Sequence, residues 1–220
     1  MVHAVKLTDT YKRVFPKSIL ARYDFKEVRN AAAVLANTNP TEFAEIISVL
    51  KRFRLTDDDF LKPGGSKGDI AKRLDEAFRR LGWREGRHDT TLTSELYLMP
   101  YRPAGEKKPE VVKSEVSSPG YKTDNVKGGV ALDVEWNAKD GNLDRDIGAY
   151  RALYDGGVIA VGVVLTRTTA DLRALGQRLG RDPLGTTTTT NIEKLAPRMT
   201  RGDAGGCPVL AIAITAKCHK

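Results

Sequence analysis

The chain of 220 residues contains two cysteines, Cys207 and Cys218, and three scattered histidines. Neither set has the spacing of a zinc site, and two isolated cysteines build no disulfide framework. A reducing, cytoplasmic compartment is therefore expected. No apolar run approaches the ~18 residues of a membrane span, so no membrane partner is expected. The first twenty residues carry Lys6, Lys12, Arg13 and Lys17 and lack the apolar stretch of a signal peptide. Gly64-Gly65-Ser66-Lys67-Gly68 lacks the spacing of a nucleotide-binding phosphate loop. Internal repeats are absent, and the five threonines at 186–190 form the one biased tract.

What is present is a moderately apolar, strongly charged composition. Hydrophobic residues make up 40%, enough for one sizeable domain. Lys and Arg number 36 against 28 Asp and Glu, a net charge of +8. That excess suits a polyanionic partner without proving one.

Periodicity divides the chain. Residues 1–90 read as a helical N-terminal region. The stretch 24–36 places Phe25, Val28, Ala32 and Leu35 near helical spacing. The stretch 41–53 gathers Phe43, Ile46, Ile47, Leu50 and Phe53 on one face. After a Pro-Gly-Gly loop, Ser66 is a candidate N-cap for a helix over 69–81. Residues 91–98 and 110–118 read as extended, with an irregular connection between them. From 110 to 220 the pattern becomes that of an α/β core: a strand over 130–136, a helix over 144–154, a continuous apolar strand over 158–165, a helix over 169–179 and a buried strand over 209–215. The expected fold is α/β, a central mixed β-sheet flanked by helices, forming a single domain over 1–220 with the helical region packed on it.

The chemistry centres on three acids. Asp133 and Glu135 alternate with Leu132 and Val134, so period two sets both carboxylates on one strand face. Asp124 lies upstream, and Lys127-Gly128-Gly129 can turn the chain to bring it alongside. By spacing alone a solvated strand face is the better explanation of these acids. An otherwise apolar strand, however, is a costly place for two of them. Carboxylates converging there need a cation, and hard oxygen ligands select Mg²⁺, with Mn²⁺ as a substitute.

The run Thr123-Asp124-Asn125-Val126-Lys127-Gly128-Gly129-Val130-Ala131-Leu132-Asp133-Val134-Glu135-Trp136-Asn137 resembles the active-site hairpin of the PD-(D/E)XK nuclease superfamily, nearest to the BglII and BstYI group of type II restriction endonucleases. More loosely the likeness extends from Lys72 to Ile214, through Gly82-Trp83-Arg84-Glu85 and Pro208-Val209-Leu210. It implies a restriction-endonuclease-like fold, Mg²⁺-dependent cleavage of double-stranded DNA and a homodimer acting on a short palindrome, with GATC-centred sites as the group's example. Asp124 falls on the metal-binding aspartate and Asp133 on the second acid. Glu135 stands where the superfamily has lysine and the group glutamine, and resembles BamHI there. Thr-Asp also replaces Pro-Asp, as in the nearest group. A repair or junction-resolving nuclease, and a non-catalytic DNA-binding protein, remain as alternative readings.

Candidates for DNA contact surround this hairpin. Lys122 and Lys127 flank Asp124, and Asn137 follows Glu135 on the same face. Thr187, Thr188, Thr189 and Asn191 lie in the threonine-rich loop before the last strand, the expected place for base readout. Arg198 and Arg201 can reach guanine or phosphate. Ser66, Lys67, Arg84, Arg87 and His88 are weaker candidates for backbone phosphates.

Overall fold

The computed structural model describes residues 4–61, 67–180 and 189–220. Ser66, Thr187 and Thr188 lie outside the described residues, as does most of the threonine tract. Its strands are β1 (Leu7–Thr8), β2 (Tyr23–Val28), β3 (Arg84–Arg87), β4 (Thr90–Leu98), β5 (Glu110–Ser118), β6 (Lys122–Lys127), β7 (Val130–Val134), β8 (Val161–Arg167) and β9 (Val209–Ile214). Its helices are α1 (Tyr11–Val14), α2 (Lys17–Leu20), α3 (Ala31–Thr38), α4 (Pro40–Arg52), α5 (Asp58–Leu61), α6 (Lys67–Arg80), α7 (Gly141–Asp155), α8 (Ala170–Arg178) and α9 (Ile192–Arg201).

Two compact units are present, residues 87–121 and the remainder. In the larger, seven described strands form one sheet in the order β1-β2-β9-β8-β7-β6-β3. Strands β7, β8 and β9 are mutually parallel, while β2 runs antiparallel to β9 and β6 antiparallel to β7. This mixed sheet matches the α/β expectation. Period-two alternation sends Val130, Leu132 and Val134 into a core with residues of α3, α4, α6 and α8. Ala131, Val164, Ala211 and Ala213 face the other way, against Leu143, Ile147, Tyr150 and Leu153 of α7 and Leu195 and Met199 of α9. Both sheet faces are therefore covered, which is why β8 and β9 read as unbroken apolar runs. The smaller unit contains the antiparallel β4–β5 ribbon.

The N-terminal region is less helical than its periodicity predicts. Residues 23–28 are strand β2, not the start of a helix over 24–36. Tyr23, Phe25 and Glu27 alternate with Asp24 and Lys26 in burial, and all six residues pair with β9. Arg29 and Asn30 both adopt positive φ, which breaks the chain before α3 begins at Ala31. A short strand and a short helix thus combine into an apparent 3.6-residue period. The later expectations hold closely. Pro40–Arg52, Lys67–Arg80, Gly141–Asp155, Ala170–Arg178 and Val209–Ile214 fall on the expected segments, and β8 begins a few residues late, at Val161. Among the described residues no helix is long and apolar enough to cross a membrane.

A candidate active site on the β6–β7 hairpin

Strands β6 and β7 are joined by the two-residue turn Gly128-Gly129, with Lys127 paired to Val130. Both glycines have positive φ, 52° and 85°, as a two-residue hairpin turn of this hand requires. The turn is tied down at its base: Asn39 Nδ2 donates to the Gly128 carbonyl. Glu45 of α4 accepts from Lys127 Nζ (2.6 Å) and from the Trp83 indole (2.7 Å). At the opposite end of the hairpin the strands part beyond the Asn125–Leu132 pair. Here the two aspartates take over the cross-strand bonding. Asp124 N–H donates to Asp133 Oδ1 (2.8 Å), and Val134 N–H donates to Asp124 Oδ2 (3.2 Å). The sequence expectation that the turn brings Asp124 beside Asp133 corresponds to this geometry.

Asp133 shares the α7-facing side of β7. It is 2% exposed, and Glu135, just past the strand end, is 3% exposed. Helix α7 adds a third buried acid, Asp146, at 1% exposure. Its neighbour Arg145 donates from Nε (3.1 Å) and Nη2 (3.0 Å) to Asp146 Oδ1 and approaches Glu135 Oε1 to 3.9 Å. Tyr150, one turn further along α7, accepts from Asp133 N–H (3.1 Å) and donates to the Val163 carbonyl (2.7 Å). Gly162 leaves room for this ring, since a Cβ there would lie 2.3 Å from it. Tyr150→Phe removes the hydroxyl that bonds both backbone groups. It is expected to cost about 1–3 kcal/mol in chemical denaturation. No change in the midpoint would show that the hydroxyl does not brace Asp133.

Crowding these acids has an electrostatic cost. Burial raises the Asp133 carboxyl well above its usual range, and the charges of Asp146 and Asp124 push the same way. Glu135 is raised to about 7, chiefly by burial. Burial and the charge of Glu135 likewise raise Asp146. On α6, Asp75 is raised to about 6 by burial, with Asp124 adding to the rise, and it accepts from Asn125 Nδ2 (2.8 Å). With all three ionised, Asp133 Oδ2, Glu135 Oε2 and Asp146 Oδ2 are each buried with no donor among the described residues. A proton between Glu135 and Asp146 relieves part of this, and a cation would relieve it without a proton.

The folded carboxyls hold protons that the unfolded chain has already lost. Their stabilising contribution is present below about pH 4 and is lost as pH rises through the folded values. The surface acids with depressed pKa values, such as Asp9, Glu85 and Asp144, are fully ionised above about pH 5 and do not mask the trend. Metal-free protein is therefore expected to lose melting temperature between pH 5 and 8, by several degrees per kcal/mol lost. Ca²⁺ or Mg²⁺ should restore more at pH 8 than at pH 6. A melting curve indifferent to pH across that window would contradict the clustering.

Chemically the donor set is all oxygen, the set that hard divalent cations take. Among the described residues no group of three or more His, Cys, Asp or Glu is gathered around one point to hold a metal. The fit is that of two carboxylates, Asp124 and Asp133, with the unpartnered Asp133 Oδ2 beside them. Mg²⁺ commonly takes one or two carboxylates and completes its shell with water and phosphate oxygen.

The remaining candidates are placed as follows. Lys122 is exposed and pairs with Glu85 (2.7 Å), while Lys127 is turned to Glu45 and the Leu81 carbonyl (2.7 Å). Asn137 has φ of 55°, and its Oδ1 accepts from the buried Arg167 Nε (2.7 Å). Thr189 Oγ1 accepts from Arg167 Nη2 (2.7 Å), which brings the end of the threonine tract to the loop after β7. Thr190 reinforces this by donating to the Glu135 carbonyl (3.1 Å). Asn191 caps α9 by accepting from Lys194 N–H (2.8 Å). Arg198 makes a two-pronged pair with Asp144 (2.7 and 2.9 Å), and Arg201 pairs with Asp203. Arg84 donates to the Trp83 carbonyl (3.0 Å), and Arg87 pairs with Asp89 (2.6 Å).

Asp75, Arg145, Asp146, Tyr150 and Arg167 were not singled out by sequence reasoning. For Asp146 a signal existed. Leu143, Asp146, Ile147, Tyr150 and Leu153 lie at helical spacing on one stripe, and an acid within an apolar stripe is buried at a cost. Starting that helix at Asp144 leaves out Leu143 and hides the stripe.

A parallel β7–β8–β9 core, entered through an antiparallel hairpin, is a restriction-endonuclease-like fold. The model of the family Restriction endonuclease BglII/BglIII matches residues 23–214, and the chain belongs to that family. Among curated proteins none matches it. It is thus a type II restriction endonuclease, a site-specific deoxyribonuclease whose substrate is double-stranded DNA. Family membership supports the restriction-endonuclease reading over the junction-resolving and non-catalytic ones.

Proposed function

We propose that the enzyme hydrolyses DNA phosphodiesters at a short palindrome in a Mg²⁺-dependent reaction centred on Asp124 and Asp133, in the manner of the PD-(D/E)XK nucleases. The observation that carries this is Asp133 Oδ2, buried and without a donor among the described residues, with the Asp124 carboxylate on the same hairpin. Asp124 and Asp133 would hold the ion. A Mg²⁺ bound there supplies Lewis-acid polarisation of the phosphodiester and a lowered pKa for an attacking water. Glu135 accepts a proton from the water or orients it, since its carboxyl is poised near neutrality by burial. Tyr150 and Arg145 fix the geometry of Asp133 and Asp146 from α7.

The base-reading residues in this proposal are Thr187, Thr188 and Thr189; of these Thr189 is held at the catalytic loop by Arg167, and the other two lie outside the described residues. Lys122 and Arg201 are exposed cations that would reach phosphates by leaving or sharing their paired acids, Glu85 and Asp203. Lys127, Asn137, Asn191 and Arg198 spend hydrogen bonds within the protein, so DNA contact by any of them requires breaking or sharing those bonds. A palindromic site calls for a two-fold protein, hence a homodimer. GATC-centred recognition is carried over from the resembling group. Digesting a DNA of known sequence with Mg²⁺ and reading both strands' fragment ends tests the proposal. It is supported by discrete, symmetric cuts leaving 5′-phosphates. No cleavage with Mg²⁺ or Mn²⁺, or cutting without sequence preference, would refute it.

A further inference from the structure

A DNA phosphate entering this site brings negative charge toward at least three buried acids, so a cation is needed at the mouth. Lys122 is bound to Glu85, and Lys127 is directed away, to Glu45 and a carbonyl of the α6 end. Arg145 stands in the right place. Its side chain is 40% exposed, whereas those of Glu135 and Asp146 beneath it are 4% and 1% exposed. One edge of the guanidinium, Nε and Nη2, is fixed on Asp146 Oδ1, and Nη2 lies 3.9 Å from Glu135. The other edge, with Nη1, makes no hydrogen bond among the described residues. A planar fork anchored along one edge presents its remaining N–H groups in a fixed direction, the geometry in which arginine binds phosphate oxygens.

We infer that Arg145 is a catalytic residue that donates from its free edge to the scissile phosphodiester, with Asp146 as the positioning residue that aims it. This assignment rests on the nuclease reading above. Arg145 then serves two partners in sequence. Without DNA it offsets the buried acids, and with DNA it holds the phosphate against Asp133 and Glu135 while Asp146 keeps the guanidinium from swinging away. Charge on the phosphate grows toward the pentavalent state, so the contact strengthens during reaction.

The test is a cycle between residue and phosphate, read by binding and not by cleavage. Duplexes carrying the mapped site, with either the natural phosphate or one neutral methylphosphonate at the scissile position, are titrated with protein in Ca²⁺. Arg145→Met is expected to weaken binding to the natural duplex on the order of 10- to 100-fold and to the methylphosphonate duplex by no more than about twofold. Arg145→Lys keeps the charge facing Asp146 but loses the fork, so it should fall between wild type and Arg145→Met and also covers the case in which the methionine variant fails to fold. Equal losses on both duplexes, or no loss on either, would overturn the assignment. If wild type neither binds nor cuts the duplex, the nuclease reading itself fails. If wild type binds and cuts while the cycle shows no coupling, only the role of Arg145 is lost.

Discussion

Asp133→Asn is expected to lower single-turnover cleavage by at least about 10⁴-fold while leaving the protein folded and able to bind duplex DNA. Asparagine keeps the volume and the Oδ1 acceptor for Asp124 N–H. It removes the negative charge and offers at most one neutral oxygen where a carboxylate would face the cation. The same change lifts a buried charge out of a repelling cluster, so the variant should melt higher than wild type at pH 8 in the absence of divalent ions. Loss of activity with gain of stability separates a catalytic role from a structural one. A variant that loses both would place Asp133 among the structural residues. Asp124→Ala should share the loss of cleavage. Its stability effect should be smaller, because Asp124 is exposed and its side chain accepts one backbone bond, from Val134.

Glu135→Gln is expected to reduce the cleavage rate by about 10²–10⁴-fold, the usual contribution of a positioned general base. Burial holds this carboxyl near pH 7, so the wild-type rate should rise with pH through that value, and the variant should lose that dependence. The amide preserves shape and one acceptor but cannot take a proton. Unchanged activity in the variant would show that the charge is dispensable here and that an amide serves equally well. The neighbouring Asp146 is the natural control. It contacts Glu135 and Arg145 but lies behind them, so Asp146→Asn should act through both positions and alter the pH profile as well as the rate.

Much of the geometry of the candidate site is legible in the sequence. The hairpin is written in local chemistry: two glycines that can adopt positive φ, an alternating strand, and an aspartate on the arm opposite. Such signals survive folding because they depend on neighbours in the chain. The parallel core was legible for the same reason, as β8 up to Leu165 and the whole of β9 are buried on both faces and show no polar gaps. What escaped depends on partners distant in sequence. β2 exists because β9 offers six residues of pairing, and nothing within residues 23–28 announces that partner. Asn137 read as a candidate DNA contact because its spacing from Glu135 suggests a shared face. The left-handed turn at Asn137 instead directs its side chain to Arg167 from the next strand. Asp146 and Arg145 reach the acids because α7 crosses over β7, a packing fact that helical spacing hints at and only the fold settles.

Several apolar side chains of the β4–β5 ribbon are exposed on one face, among them Leu92, Leu96 and Val116, with the cross-strand pairs Leu92–Val116 and Leu96–Val112. Its other face is mostly polar, with Thr91 bonded to Ser117 and Glu95 to Lys113, and ends in the pair Tyr97–Val111. The alternation there is the same period-two rule that places Asp133 and Glu135 together, applied to a strand pair without a covering layer of its own within the unit.

The proposed reaction requires a divalent cation to meet DNA at Asp124 and Asp133. It is tested most directly by measuring duplex affinity with and without Ca²⁺ for wild type and Asp133→Asn, using DNA that carries the mapped site. Wild type should bind weakly without Ca²⁺, because uncompensated acids repel the phosphate, and tightly with it. Asp133→Asn should bind with an affinity that changes little on adding Ca²⁺. An equal Ca²⁺ response in both proteins would contradict the central claim and move the cation elsewhere.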